Sequence, residues 1–95
     1  MADLLNSYDF IVIGAGSAGC VLANRLSKVS SNKVLLIEAG GTDHRFYVQM
    51  PIGYGKTYYQ KEVNWMYMAE PSPGTNNRSS YWPRGKLLGG SSSIN

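Results

Sequence analysis

Apolar and polar positions follow two different rhythms along this chain, and the change comes near residue 40. "FIVI", residues 10–13, is short, apolar and largely β-branched, the pattern of a strand covered on both faces in a parallel sheet. From Ser17 to Val29 the residues Ala18, Leu22, Leu26 and Val29 recur at i, i+4, i+8 and i+11, while Asn24, Arg25 and Lys28 fall on other faces. That spacing predicts an amphipathic helix that packs on the sheet through those four residues. "VSSNK" breaks the helix, and "VLLIE", residues 34–38, is a second apolar run and a second predicted strand. Strand, helix and strand within about thirty residues is the length of one right-handed crossover.

Beyond residue 40 lie nine of the eleven aromatic residues, Phe46 through Trp82, punctuated by Pro51, Pro71, Pro73 and Pro83. No internal repeat is present. The 95 residues are 43% hydrophobic and 16% charged, a globular composition, and no stretch approaches the ~18 apolar residues of a membrane span. The opening "MADLLNS" is too short and too polar for a secretory leader and has no basic lead-in, so the expected location is cytoplasmic. The net charge of +3 comes from scattered basic residues without a block or stripe, which argues against nucleic-acid binding. Cys20 is the only cysteine, so an internal disulfide is impossible and a thiolate zinc site has too few ligands; it is read as a small buried helix residue. His44, in "GGTDHRFY", is read as a solvated turn residue rather than a catalytic one.

A bare G-x-G-x-x-G is weak evidence in a chain with 11 glycines, and its context decides. Gly14, Gly16 and Gly19 directly follow a predicted strand and open a predicted helix, and an acid, Glu38, closes the next apolar run. Each part has a physical task. Gly14 permits a tight turn, Gly16 lets the backbone approach a diphosphate, and Gly19 lets the helix sit close to the strand. The free N–H groups around Ser17 and Ala18 face the anion with the positive end of the helix dipole behind them. Glu38 is placed to accept hydrogen bonds from ribose hydroxyls, and its charge would repel a 2′-phosphate, which disfavours NADP.

The same turn serves the ADP half of FAD and of NAD, so residues 8–38 leave the two open. A second glycine motif lies at the far end, "WPRGKLLGGSSSIN", residues 82–95, where serines at a helix start can cap it while backbone N–H groups meet an anion. Its plain structural reading is a capped helix start.

"YDFIVIGAGSAGCVLANRLS", "VLLIEAGG", "MPIGYGK", "NWMYMAEP" and "NNRSSYWPRGKLLGGSSSIN", in that order, resemble the N-terminal part of the glucose-methanol-choline (GMC) family of flavin oxidoreductases. The likeness is greatest to the branch with choline dehydrogenase and the bacterial alcohol dehydrogenases that use acceptors other than NAD. It runs from Tyr8 to Asn95. The resemblance implies an α/β, Rossmann-like FAD-binding fold of the glutathione-reductase type, with a parallel sheet, of which this chain is the N-terminal fragment. It implies FAD as cofactor, with Gly14, Gly16, Ser17 and Ala18 at the diphosphate and Glu38 with Ala39 at the adenosine end. Arg84, Leu88, Gly89, Gly90, Ser91, Ser92 and Asn95 would run along the diphosphate and the flavin ring side. Some members attach the flavin through a histidine two residues before the signature arginine. That position here is Trp82, so noncovalent binding is expected. Trp65 and Trp82 are read as packing residues, with cofactor contact as the alternative.

The implied chemistry is oxidation of an alcohol CH–OH to a carbonyl, with hydride passing to flavin N5 and an electron acceptor reoxidising the flavin. Family members continue for several hundred residues and carry their histidine base near the C-terminus. The expected organisation is therefore a β-α-β unit at 8–38, a cofactor-covering segment at 39–81 and the second glycine motif at 82–95. The substrate domain and catalytic base would lie in the remainder of the same polypeptide. An NAD-dependent dehydrogenase would share the first forty residues but gives no reason for "GGSSSIN", and a non-catalytic FAD-binding or interaction fragment is the other alternative.

Overall fold

The computed structural model describes residues 7–95, so the reading of residues 1–6 as no secretory leader falls outside the described residues. Strand β1 (Phe10–Ile13) pairs in parallel with β2 (Val34–Ile37), Phe10 opposite Val34 and Ile13 opposite Ile37. Helix α1 (Ser17–Ser27) crosses between them. The predicted β-α-β unit is thus present, with the helix two residues shorter and Glu38 just past the second strand. Val12 is the buried residue of β1, whereas Ile11 and Ile13 are exposed, Ile13 at 83%. Both faces of this pair are apolar as the sequence implies, but two strands and one helix do not cover them.

The helix stripe differs from the predicted one. Ala18, Leu22 and Val29 are exposed, and the half-buried residues of α1 are Gly19, Cys20, Ala23 and Leu26. Small residues win this face because they let the helix axis approach the strand. A Cβ on Gly19 would stand 1.8 Å from the Gly14 carbonyl oxygen. Cys20 is half-buried, and its thiol donates to the Ala15 carbonyl at 3.2 Å.

After β2 the chain makes two single-turn helices, α2 (Phe46–Gln49) and α3 (Tyr54–Thr57), joined by a 3-10 turn at Pro51–Gly53. A hairpin of β3 (Tyr67–Ala69) and β4 (Ser80–Trp82) follows, then α4 (Ser91–Ile94). The hairpin root packs on the β-α-β unit through a parallel bridge between Gly41 and Leu87. Val63, Leu87 and Ile94 form the buried cluster, with Val48 against it. Tyr58, Tyr59 and Tyr81 pack edge-on and stacked beside the hairpin, and desolvation together with the other two phenols raises the pKa of Tyr81.

The chain does not close on itself. Its radius of gyration is 16.7 Å, against about 12 Å for a compact domain of this length. Its accessible surface is 7027 Å², against roughly 5,400 Å² for a folded monomer of this mass.

Candidate functional site

The site lies at the carboxyl ends of β1 and β2, where open α/β sheets place their ligands. Gly14 adopts φ +94°, a conformation that L side chains rarely adopt, and so turns the chain sharply out of β1. Gly16 then caps α1 from an extended conformation, and no acidic residue occupies the first helical turn. The positive end of an eleven-residue helix is left without a carboxylate of its own. A Cβ on Gly16 would meet nothing within 4 Å, and Gly16 lines the cleft.

Glu38 sits half-buried at the end of β2. Its Oε2 accepts the Ala15 N–H at 2.8 Å and its Oε1 accepts the Gly40 N–H at 2.9 Å. The carboxylate thereby ties the glycine turn after β1 to the turn after β2. Each oxygen keeps further acceptor capacity. The sequence pattern pointed only to an acceptor for ribose, and this second task was not visible in it.

The second glycine motif arrives at the same place. Gly89 N–H donates to the Ala15 carbonyl at 2.7 Å, and the Ser17 and Ser92 hydroxyl oxygens are 2.6 Å apart. Gly90 takes φ +63°, and a Cβ on it would come within 2.8 Å of Gly16 Cα, so the two motifs are in backbone contact. The serines do not cap α4 as expected, since its N-cap is Gly90 without a side-chain cap bond. Instead Ser91 Oγ accepts the Gly85 N–H and the Ser93 hydroxyl donates to the Leu88 carbonyl, which staples the loop across its own turn.

Between the motifs opens a cleft of about 600 Å³. Of the residues singled out in the sequence, Gly14, Gly16, Ser17, Glu38, Ala39, Arg84, Gly90 and Ser91 line it. Ala18, Leu88, Gly89, Ser92 and Asn95 do not, although Ser92 meets the lining residue Ser17 and Gly89 bonds Ala15, which lies between the lining residues Gly14 and Gly16. Trp65, for which the sequence leaves packing and cofactor contact as alternatives, and Tyr67, which the sequence does not single out, form a wall of the cleft. Their rings stack at 5.9 Å and 5°, with the Lys86 ammonium 4.5 Å from the Trp65 ring. Trp82 is not in the lining and carries the Arg84 guanidinium 4.8 Å from its ring. His44 is exposed on its turn, outside the cleft. Among the described residues no cluster of His, Cys, Asp and Glu could hold a metal ion, and no helix is long and apolar enough to cross a membrane.

The chain is 53% identical over 88 residues to the alcohol dehydrogenase [acceptor] of Pseudomonas putida, covering 93% of this chain and 16% of that protein. It is 47% identical over 89 residues to the oxygen-dependent choline dehydrogenase of Photobacterium profundum, covering 94% and 16%. Among solved structures, pyridoxine 4-oxidase from Mesorbium loti superposes with a TM-score of 0.84 at 38% identity, over 94% of this chain and 17% of that one. Formate oxidase of Aspergillus oryzae RIB40, studied for modification of its FAD, superposes at 0.82 and 32% identity, over 93% and 16%. The chain thus spans about a sixth of the length of its relatives. Since the GMC oxidoreductase family model matches residues 8–95, which include both glycine motifs and the wall between them, the chain belongs to that family.

Proposed function

We propose that this chain is the N-terminal part of an FAD-binding domain in an enzyme that oxidises the CH–OH group of a small alcohol to a carbonyl and passes electrons to an acceptor. The observation that carries the reading is the meeting of Gly16 with Gly90 at one cleft, beside Glu38 and the N-terminus of α1. The fit to a dinucleotide rests on the open direction at Gly16, which a side chain would fill. Gly16, Ser17 and Ala18 would hold the diphosphate through backbone N–H groups at the positive end of α1, with Gly14 lining that side while its own N–H donates to the Ile37 carbonyl. Glu38, with Ala39, would take the adenosine ribose on the acceptor capacity that its two backbone bonds leave free. Arg84, Gly90 and Ser91 would line the diphosphate and flavin side, with Leu88 and Asn95 beside them and Gly89 and Ser92 bracing the first glycine turn at Ala15 and Ser17.

When bound, the flavin supplies the hydride acceptor. The chain's own residues place it and shield it from water. With Trp82 at the attachment position, the cofactor would be held noncovalently. The catalytic base lies outside these residues in this reading, because the single histidine, His44, is on an exposed turn away from the cleft. The substrate domain would come from the remainder of the polypeptide, making 8–38, 39–81 and 82–95 three parts of one cofactor site. A cytoplasmic setting suits the single free thiol of Cys20.

The test is titration of the full-length apoprotein with FAD, alongside Gly16→Glu. That side chain would project into the open space at Gly16 and add negative charge where the diphosphate is expected. Binding by the wild type and its loss in the variant are expected, and equal binding by both would defeat the reading.

A further inference from the structure

We propose that Asn64 is a positioning residue for the cofactor: its side-chain amide holds the Trp65–Arg84 wall of the cleft in its binding shape, acting through a left-handed Met66. The inference rests on the proposed FAD cleft.

Asn64 does not line the cleft and is 2% exposed, yet it bonds four backbone groups. Its Nδ2 donates to the carbonyls of Thr57 at 3.1 Å and Tyr58 at 2.9 Å. Its Oδ1 accepts the N–H groups of Met66 at 2.9 Å and Arg84 at 3.0 Å. Both donors and both acceptor positions of the amide are used.

The need for such a residue comes from a break in the hairpin. The pairs Tyr67–Trp82 and Asn64–Gly85 share one register, so Met66 stands where it would face Pro83. In a regular ladder that pair exchanges no bonds, and the break falls at its neighbour, Trp65 and Arg84. In an unbroken ladder Trp65 and Arg84 would exchange two bonds. Here the Trp65 N–H still reaches the Arg84 carbonyl at 2.8 Å, but the Arg84 N–H goes to Asn64 Oδ1 instead. Met66 adopts φ 56°, a left-handed conformation unusual for a residue other than Gly, Asn or Asp. The bond from its N–H to Asn64 is what sustains that turn. On either side of the turn, Trp65 and Tyr67 then present stacked rings to the cleft. The other end of the amide is anchored by Thr57, whose buried hydroxyl donates to the Ile94 carbonyl at 3.0 Å, so the second glycine motif and the wall share one support.

The test measures FAD dissociation constants of full-length apoprotein by fluorescence. Asn64→Asp keeps an acceptor for both N–H groups but gives up the two donations to Thr57 and Tyr58, and is expected to lose less affinity than Asn64→Leu, which should bind about tenfold or more weakly. Adding Met66→Gly to Asn64→Leu should recover most of the loss, because glycine takes the left-handed turn unaided. In a Trp65→Ala background, Asn64→Leu should cost little more. Equal losses in the Asp and Leu variants, no rescue by glycine, or additive losses with Trp65→Ala would each overturn the proposal. Should Asn64→Leu not fold, Met66→Val and Met66→Gly carry the test, with weakened binding expected only for the β-branched residue and equal binding decisive against. A wild-type protein that takes no FAD would overturn the proposed function as well, whereas wild-type binding with an unmoved Asn64→Leu would overturn this inference alone.

Discussion

The Glu38 carboxylate accepts the Ala15 N–H at 2.8 Å, so the acid at the end of β2 holds the glycine turn that follows β1. A residue proposed to receive ribose is therefore also part of the scaffold that shapes the diphosphate loop. Replacing Glu38→Ala removes charge-assisted bonds worth roughly 1.5 to 3 kcal/mol each, and FAD affinity in the full-length protein should fall about tenfold or more. The melting temperature of the apoprotein should fall too, because the bonds to Ala15 and Gly40 exist without cofactor. Fluorescence titration and calorimetry read the two effects, and an unchanged dissociation constant would show that Glu38 has no part in holding the cofactor.

The proposed noncovalent attachment makes a simple chemical prediction. Acid precipitation of the full-length holoprotein should release all flavin to the supernatant, since Trp82 occupies the position from which some family members tether it. Flavin retained in the pellet would refute the expectation.

Close backbone approach predicts a contrast between two glycines. A Cβ on Gly19 would lie 1.8 Å from the Gly14 carbonyl oxygen, whereas one on Gly41 meets nothing within 4 Å. Gly19→Ala must push α1 away from β1 and should cost about 2 kcal/mol or more, while Gly41→Ala should stay within about 0.5 kcal/mol of wild type. Denaturant unfolding of the full-length protein distinguishes them, and equal effects would mean that the helix is not seated as described.

Residues 1–95 expressed alone should bind FAD weakly and oxidise no alcohol. Ile13, Ile52 and Phe46 are 83%, 79% and 67% exposed, and such apolar surface promotes association or aggregation rather than a stable monomer. The histidine His44 is exposed outside the cleft, and the carboxylate within it, Glu38, is engaged by the N–H groups of Ala15 and Gly40. Dye reduction with excess FAD and a panel of primary alcohols measures this. Turnover above a protein-free control would place the base within these residues.

The strand at Phe10–Ile13, the turn through Gly14 and the acid after the second strand were legible from the sequence, because an apolar run and a required backbone conformation are local properties. The motif around Gly90 was legible too, through its resemblance to the family, but not its contact with Gly16. Local pattern also misplaced the buried face of α1. Apolar spacing favoured Ala18, Leu22, Leu26 and Val29, of which only Leu26 is half-buried, whereas close approach to the strand brought in Gly19, Cys20 and Ala23. Only the tertiary structure decided that Glu38 holds Ala15, that Ser17 meets Ser92, and that Asn64 accepts the N–H groups of Met66 and Arg84. The physical reason is that the pairings at Ala15 and Arg84 use backbone groups of residues distant in the chain. Every residue but proline carries such groups, so no residue type announces them, and they acquire partners only when the chain has brought its segments together.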